Sequence, residues 1–134
     1  MQSKAVLTQQ EVSRMLAAAR DEANKNDWNV AIVIVDDGGH PLALERLDGC
    51  AAIGAYIATE KARSAAMGRR ETKGYEDMVN GGRTAFVTAP IVTALEGGVP
   101  VIHEGQVIGA IGVSGVKADQ DAQIAKAGVA ALGA

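Results

Sequence analysis

At 134 residues, with 48% hydrophobic and 22% charged side chains, the chain can bury a sizeable core without a disulfide or metal, and a charge-rich disordered chain is excluded. A formal net charge of −3, scattered basic residues and only four aromatic side chains (Trp28, Tyr56, Tyr75 and Phe86) leave out the basic face and stacking platforms that nucleic acid requires. Cys50 is the only cysteine, so neither an internal disulfide nor a thiolate metal cluster can form.

Met1 to Leu7 carries one lysine and no following apolar run, and no later stretch supplies the 18 or more apolar residues that span a bilayer, so a cytoplasmic location and no membrane partner are expected. Thr8-Gln9-Gln10-Glu11 matches a capping box, and Val12, Met15, Leu16, Ala19 and Ala23 follow at helical spacing, which predicts a first helix to about Asn26. Asn29 to Val35 is a short β-branched run suited to a strand buried on both faces. Asp36-Asp37-Gly38-Gly39 is a hairpin turn, and Pro41 to Leu47 returns as the second strand. Paired carboxylates could hold a divalent cation, but the two glycines that follow replace the further ligands such a loop needs, so turn-making is the favoured reading.

Asp48 and Gly49 are expected to cap a second helix from about Ala51 to Met67, with Ile53, Tyr56, Ile57, Ala62 and Ala66 facing one way and Gly68 ending it. The alanine and glycine of this helix would let a neighbouring backbone pack close. Residues 69–99 are polar and glycine-bearing, with short helical candidates at Tyr75 to Met78 and Ile91 to Leu95, and are read as the wall of a site. A second hairpin joins Pro100 to His103 and Gln106 to Val113 around Glu104-Gly105, with Gly109 and Gly112 marking a bulge or close backbone approach. Ala118 to Leu132 is the last helix, with Asp119 and Asp121 in its first turn. The order α-β-β-α-(short helices)-β-β-α over residues 1–134 reads as one α+β domain, because hairpin strands are antiparallel.

Candidate chemistry is sparse. His40 and His103 each sit beside a hairpin turn, where a ring nitrogen could reach a pocket or a bound metal. Glu60, Lys61 and Arg63, with Arg46 at the end of the second strand, could supply a pocket for a carboxylate, and Lys61 among alanines must snorkel or be paired. Gly97, Gly98 and Gly115 would admit a ligand close to the backbone, although turn and bulge duties are the favoured reading of such glycines. No catalytic residue is assigned: Ser114 and Cys50 lie in no nucleophile-elbow or cysteine-histidine context.

Ile34 to Pro41, Ala58 to Ala62 and above all Gly97 to Gly115, followed by Asp121, resemble the GlcG/HbpS family, which includes the C-terminal domain of PduO-type proteins. The resemblance implies a profilin-like, GlcG-like antiparallel sheet flanked by helices, assembly into homo-oligomers, and a small-molecule ligand that in some members is haem. On that reading the chain binds haem or a corrinoid, with His103 as metal ligand, Arg46 and Lys61 holding carboxylates, and Gly97, Gly98 and Gly115 permitting close approach. The alternative is an enzyme or accessory in glycolate, propanediol or glycerol metabolism acting on a small hydroxy acid, diol or aldehyde. Lys61 or His103 would then be acid or base. A structural partner of a larger metabolic complex is the third reading.

Overall fold

The computed structural model describes residues 1–133. Among them, four α-helices and a four-stranded sheet follow one another as α1 (Gln9–Lys25), β1 (Ala31–Asp36), β2 (Pro41–Arg46), α2 (Ile53–Gly68), α3 (Lys73–Asn80), β3 (Gly98–His103), β4 (Gln106–Ser114) and α4 (Ala118–Ala130), with a short 3₁₀ turn at Thr84–Thr88. The sheet is open and antiparallel throughout, in the order β2-β1-β4-β3. No helix among the described residues is long and apolar enough to cross a membrane.

The strand alternation divides the core in two. Ile32 and Ile34 of β1, with Ile111 and Val113 of β4, meet Val12, Met15 and Ala19 of α1 and Ile124 and Ala125 of α4. Ala31, Val33 and Val35 point the other way, onto Ala58, Ala62, Ala65 and Ala66 of α2. β1 is therefore buried on both faces, as its uninterrupted β-branched run requires. The capping box forms: Thr8 N–H donates to Glu11 Oε1 at 2.9 Å and Glu11 N–H to Thr8 Oγ1 at 3.4 Å. In the first hairpin Asp36 Oδ1 accepts from Gly38 N–H and His40 N–H, both at 2.9 Å, and Gly39 takes φ 80°. Asp36 therefore works as a turn-maker.

α2 departs from the expected pattern at three points. It begins at Ile53 with Ala52 as an N-cap that offers no side chain, so Asp48 and Gly49 do not cap it. Its inward face is Gly54, Ala58, Lys61, Ala62 and Ala65, whereas Ile53 and Tyr56 are 63% and 74% exposed. The cause lies in the sheet. A Cβ added at Gly112 would run into Ala58 O and lie 2.5 Å from Ala62 N, and one at Gly98 would run into Lys61 O. The helix backbone rests on these two glycines, and only small side chains fit into the gap that remains. Finally, Gly68 is the last helical residue, as expected, but the left-handed cap falls one residue later, on Arg69 at φ 58°; a Cβ at Gly68 would overlap the hydroxyl of buried Tyr75.

Within 69–99 the helix at Lys73–Asn80 includes the expected turn, but Ile91 to Leu95 is not helical. Ile91 sits at φ 61°, and the Ser64 hydroxyl ties down this strap by accepting from Thr93 N–H (2.8 Å), its one proton lying between Glu60 O (2.7 Å) and Ile91 O (3.2 Å). The single turn that does form lies earlier, at Thr84–Thr88.

One polar tie crosses this apolar interior. Lys61 on α2 is 3% exposed and its Nζ donates to Asp121 Oδ2 on α4 (3.0 Å) and to Val113 O on β4 (2.9 Å), while Val116 N–H donates to Asp121 Oδ1 at 3.2 Å. Burial pushes the Asp121 carboxyl above the ordinary carboxylate range, with the charge and hydrogen bond of Lys61 and the Val116 amide pulling it back. A raised folded-state value means that the native state holds the proton at pH values where the unfolded chain has released it. The stability contributed by this group is therefore full in acid and falls as pH rises through the window above the ordinary carboxylate range.

Two stability measurements follow from this packing. Gly112→Ala should cost about 3 kcal/mol, because backbone atoms must move, while Gly105→Ala, whose added Cβ meets nothing within 4 Å and only the strain of φ 77°, should cost about 1 kcal/mol in urea unfolding. Lys61→Met should cost about 3 kcal/mol at neutral pH by leaving a buried carboxylate unpaired, with a smaller loss in acid as Asp121 takes a proton. The double variant Lys61→Met with Asp121→Leu should recover most of that loss.

Candidate functional site

One opening follows from the way α2 lies on the sheet. Centred over β4 and β1, the helix leaves the matching face of edge strand β2 uncovered, and Leu42, Leu44 and Arg46, at alternate positions of that strand, are all exposed. The outward face of the first turns of α2 forms the other bank. Together Leu44, Arg46, Ala52, Ala55, Tyr56, Thr59 and Glu60 line a groove of about 590 Å³, mostly apolar in its walls. That volume lies inside the range of small-molecule and cofactor pockets.

The charges in the groove are unequal. Glu60 Oε1 pairs with Arg63 Nη1 at 3.0 Å along the helix, so its charge is already compensated. Arg46 has no carboxylate within salt-bridge distance among the described residues, and its planar, permanently charged fork suits a carboxylate approaching from outside.

The remaining residues singled out from sequence do not gather around one cavity. Lys61, Gly97 and Gly98 are neighbours: an added Cβ at Gly97 would lie 2.8 Å from Lys61 Nζ and 2.8 Å from Val113 O. These glycines make room for the lysine and the helix backbone, and the amine is consumed by Asp121 and Val113 O. Lys61 therefore reaches no open cavity, which leaves Arg46 as the one of the two expected carboxylate anchors that does. Gly115, at φ 146°, packs against Asn29 O and Val30 at the far end of β4.

His103 stands apart from all of these. The sheet register pairs Arg46 with Ala31 and Ala31 with Ser114 at one end, while His103 pairs with Gln106 beside the β3-β4 turn at the other. Because β2 and β3 are opposite edges, Arg46 and His103 occupy diagonally opposed corners. His103 is exposed, with Nε2 3.8 Å from Glu104 Oε1, and borders a hollow of about 170 Å³ with Glu11 and Arg14. That hollow falls below the usual range for a cofactor pocket. His40 is more exposed still and is held by Asp36, Nδ1 to Oδ1 at 3.0 Å. Among the described residues no group of three or more His, Cys, Asp or Glu side chains could enclose a metal ion.

Leu44 and Tyr56 were missed as site residues for a physical reason. An apolar residue on a strand and an aromatic on an alanine-rich helix both read as core, and only the close approach at Gly112 and Gly98 turns the large side chains of α2 outward. The segment 69–99, expected to wall the site, contributes nothing to this groove.

Comparisons with known proteins bear on the whole of this architecture. A family model described as haem degrading protein HbpS-like matches residues 7–130. Escherichia coli protein GlcG is 65% identical over 114 residues, which is 85% of each chain. Among solved structures, a double mutant of Streptomyces reticuli HbpS superposes with a TM-score of 0.90 at 30% identity, covering 100% of this chain and 92% of the other. A PduOC:heme complex superposes with a TM-score of 0.85 at 26% identity, covering 95% of both. The sequence resemblance to GlcG and HbpS and the α+β fold that it implied are thus both found, and the chain belongs to the HbpS-like family.

Proposed function

We propose that the chain binds haem in the groove between β2 and α2. The observation that carries this reading is the combination of an apolar groove of cofactor size with a single uncompensated cation, Arg46, in a chain of a family described as haem degrading. A haem presents a flat apolar macrocycle with two carboxylates at one edge. Leu44, Ala52 and Ala55 and the ring of Tyr56 offer the apolar surface, and Arg46 offers the partner for a carboxylate. A corrinoid, whose periphery carries amides in place of carboxylates, would leave Arg46 without such a partner, so haem is preferred.

Haem would supply a redox-active iron there, and Tyr56, whose phenol lines the groove, would be the residue to hold it, phenolate being one of the recognised protein ligands of haem iron. The enzymatic alternative would need Lys61 or His103 as acid or base on a small hydroxy acid, diol or aldehyde. Enclosure with Asp121 gives Lys61 no support in that role, because a general acid or base must come within hydrogen-bond reach of its substrate, and exposed His103 borders only a hollow of about 170 Å³. Homo-oligomerisation belongs to the same reading: the open edge of β2 and the exposed Leu42 and Ile53 beside the groove form a surface that a second copy would cover. Light scattering should report a mass above 13.8 kDa, and a strictly monomeric protein would remove that part of the proposal.

An absorbance titration with haemin tests the site. Saturable binding is expected, weakened about tenfold by Arg46→Ala, equivalent to about 1.4 kcal/mol, with the visible spectrum altered by Tyr56→Phe. If His103→Ala alone weakens binding, the site lies at the β3-β4 turn and the groove is not the haem site; if no saturable binding occurs, the reading fails.

A further inference from the structure

A second cavity opens at the other end of α2, where the helix meets the hairpins. Its volume is about 560 Å³, inside the range of small-molecule pockets, and its walls are mostly polar. Ile102, Gln106 and Val107 of the β3-β4 hairpin border it, with Arg69 from the end of α2 and Gln2 and Lys4 from the N-terminal segment. Gln106 pairs with His103 at the hairpin end of the sheet, whereas Arg46 pairs with Ala31 at the opposite end, so this cavity is separate from the haem groove.

The charge of the lining is one-sided. No carboxylate borders the cavity. Lys4 Nζ is engaged by Asp37 Oδ2 at 2.5 Å, which leaves Arg69, exposed and without an ion pair among the described residues, as the free cation of the lining.

Arg69 also holds a backbone conformation that its side chain does not favour. At φ 58° and ψ 39° it makes the left-handed cap of α2, the position where glycine ordinarily stands because a Cβ is strained there. A cation near a helix C-terminus is favourable, yet a lysine or arginine in the last turn would supply it without strain. Strain kept at a residue whose charge pairs with nothing in the chain points to a partner outside it.

The hairpin is shaped to the same cavity. The register slips between Val101 and Ile102: Val101 pairs with Gly109 and Ile102 with Val107, which makes Ile108 the extra residue of β4. Ile108 joins the core beneath α1 and α4, and Val107 takes its place beside Ile102 at the cavity. Bulges re-aim side chains in this way next to functional sites.

We propose that this cavity binds a small polyhydroxy carboxylate of the sugar-acid class, its carboxylate on the Arg69 guanidinium and its hydroxyls on the side-chain amides of Gln2 and Gln106. The planar fork of arginine meets a carboxylate through two parallel hydrogen bonds, and each amide both donates to and accepts from hydroxyl groups. The C–H faces of the carbon chain lie on Ile102 and Val107. One free guanidinium in a lining without carboxylates suits a monoanion, and the volume exceeds what a bare inorganic ion fills. Haem binding in the groove and sugar-acid binding here can each fail without the other.

Gluconate is the probe, followed in ¹H-¹⁵N spectra of the whole chain. It should shift the Gln2 and Gln106 side-chain amides and the Arg69 backbone amide saturably, while sorbitol shifts none of them and inorganic phosphate binds about tenfold more weakly. Arg69→Gly separates a binding role from a structural one. Glycine accepts φ 58° freely, so the variant should melt no lower than the parent chain and yet bind gluconate about tenfold more weakly. Absence of saturable shifts, equal shifts with sorbitol, phosphate binding as tight as gluconate, or unimpaired binding by the glycine variant would each overturn the proposal. If the glycine variant melts lower, Arg69→Gln, which keeps the Cβ and removes the charge, decides: binding must still fall about tenfold, and undiminished binding overturns the proposal.

Discussion

The architecture depends on one close approach, that of the α2 backbone to Gly98 and Gly112 on β3 and β4. Helices usually meet a sheet through interdigitating side chains; here peptide groups of the helix lie where side chains of the sheet would be. The gain is dense van der Waals contact over many atoms, each small and collectively large. The constraint is that nothing larger than alanine fits on the inward face except where a long side chain can lie along the gap. Lys61 is that exception. Its stem runs past Gly97 and its amine emerges at Val113 O and Asp121, which explains why a lysine can stand among alanines in the middle of the layer.

The ion pair and the glycines therefore form one arrangement. An amine enclosed at this depth carries a large desolvation cost that only a close carboxylate and a carbonyl offset. Asp121 comes from α4, on the other side of the sheet from α2, so the pair ties both helical layers together around the end of β4. The pair holds both layers to one geometry, because the Lys61 amine meets Asp121 Oδ2 and Val113 O together in that arrangement. The same reasoning removes Lys61 from the list of groups free to meet a ligand.

Much of this was legible in the sequence. Periodicity and capping placed α1, the β-branched run marked β1, and turn chemistry at Asp36 to Gly39 and Glu104-Gly105 located both hairpins, because these are local signals that the chain reads within a few residues. The close approach of a backbone was also expected from Gly112 and from the alanines of α2. What could not be read was its direction. Ile53 and Tyr56 are apolar residues that periodicity assigns inward, and only the long-range contact between α2 and β4 reverses them. Local pattern likewise made Ile91 to Leu95 helical, while the Ser64 hydroxyl, 27 residues from Ile91, holds that strap extended past an Ile91 at positive φ. His103 and Arg46 appeared to be partners only because a sequence carries no register; the antiparallel order puts them at opposed corners.

That reversal also decides where function can lie. A helix whose small residues face the sheet must show its large ones to solvent, and since α2 stops short of β2 the exposed aromatic and aliphatic side chains border an uncovered strand. Burying an apolar helix face and opening an apolar groove are two results of one packing choice. The first turn of α2 walls that groove through Ala52, Ala55 and Tyr56, and Arg46 of the uncovered strand supplies its free cation. The last turn meets the hairpins, and there Arg69 takes the left-handed cap beside a cavity bordered by Ile102 and Val107. Between them the alanine face is closed against the sheet, and the charge within it, Lys61, is spent on Asp121 and Val113 O. The free guanidiniums of Arg46 and Arg69 therefore stand at the two ends of one helix. Haem is expected at the end where the apolar groove lies, and the exposed histidines, both at the hairpin end, stand away from it.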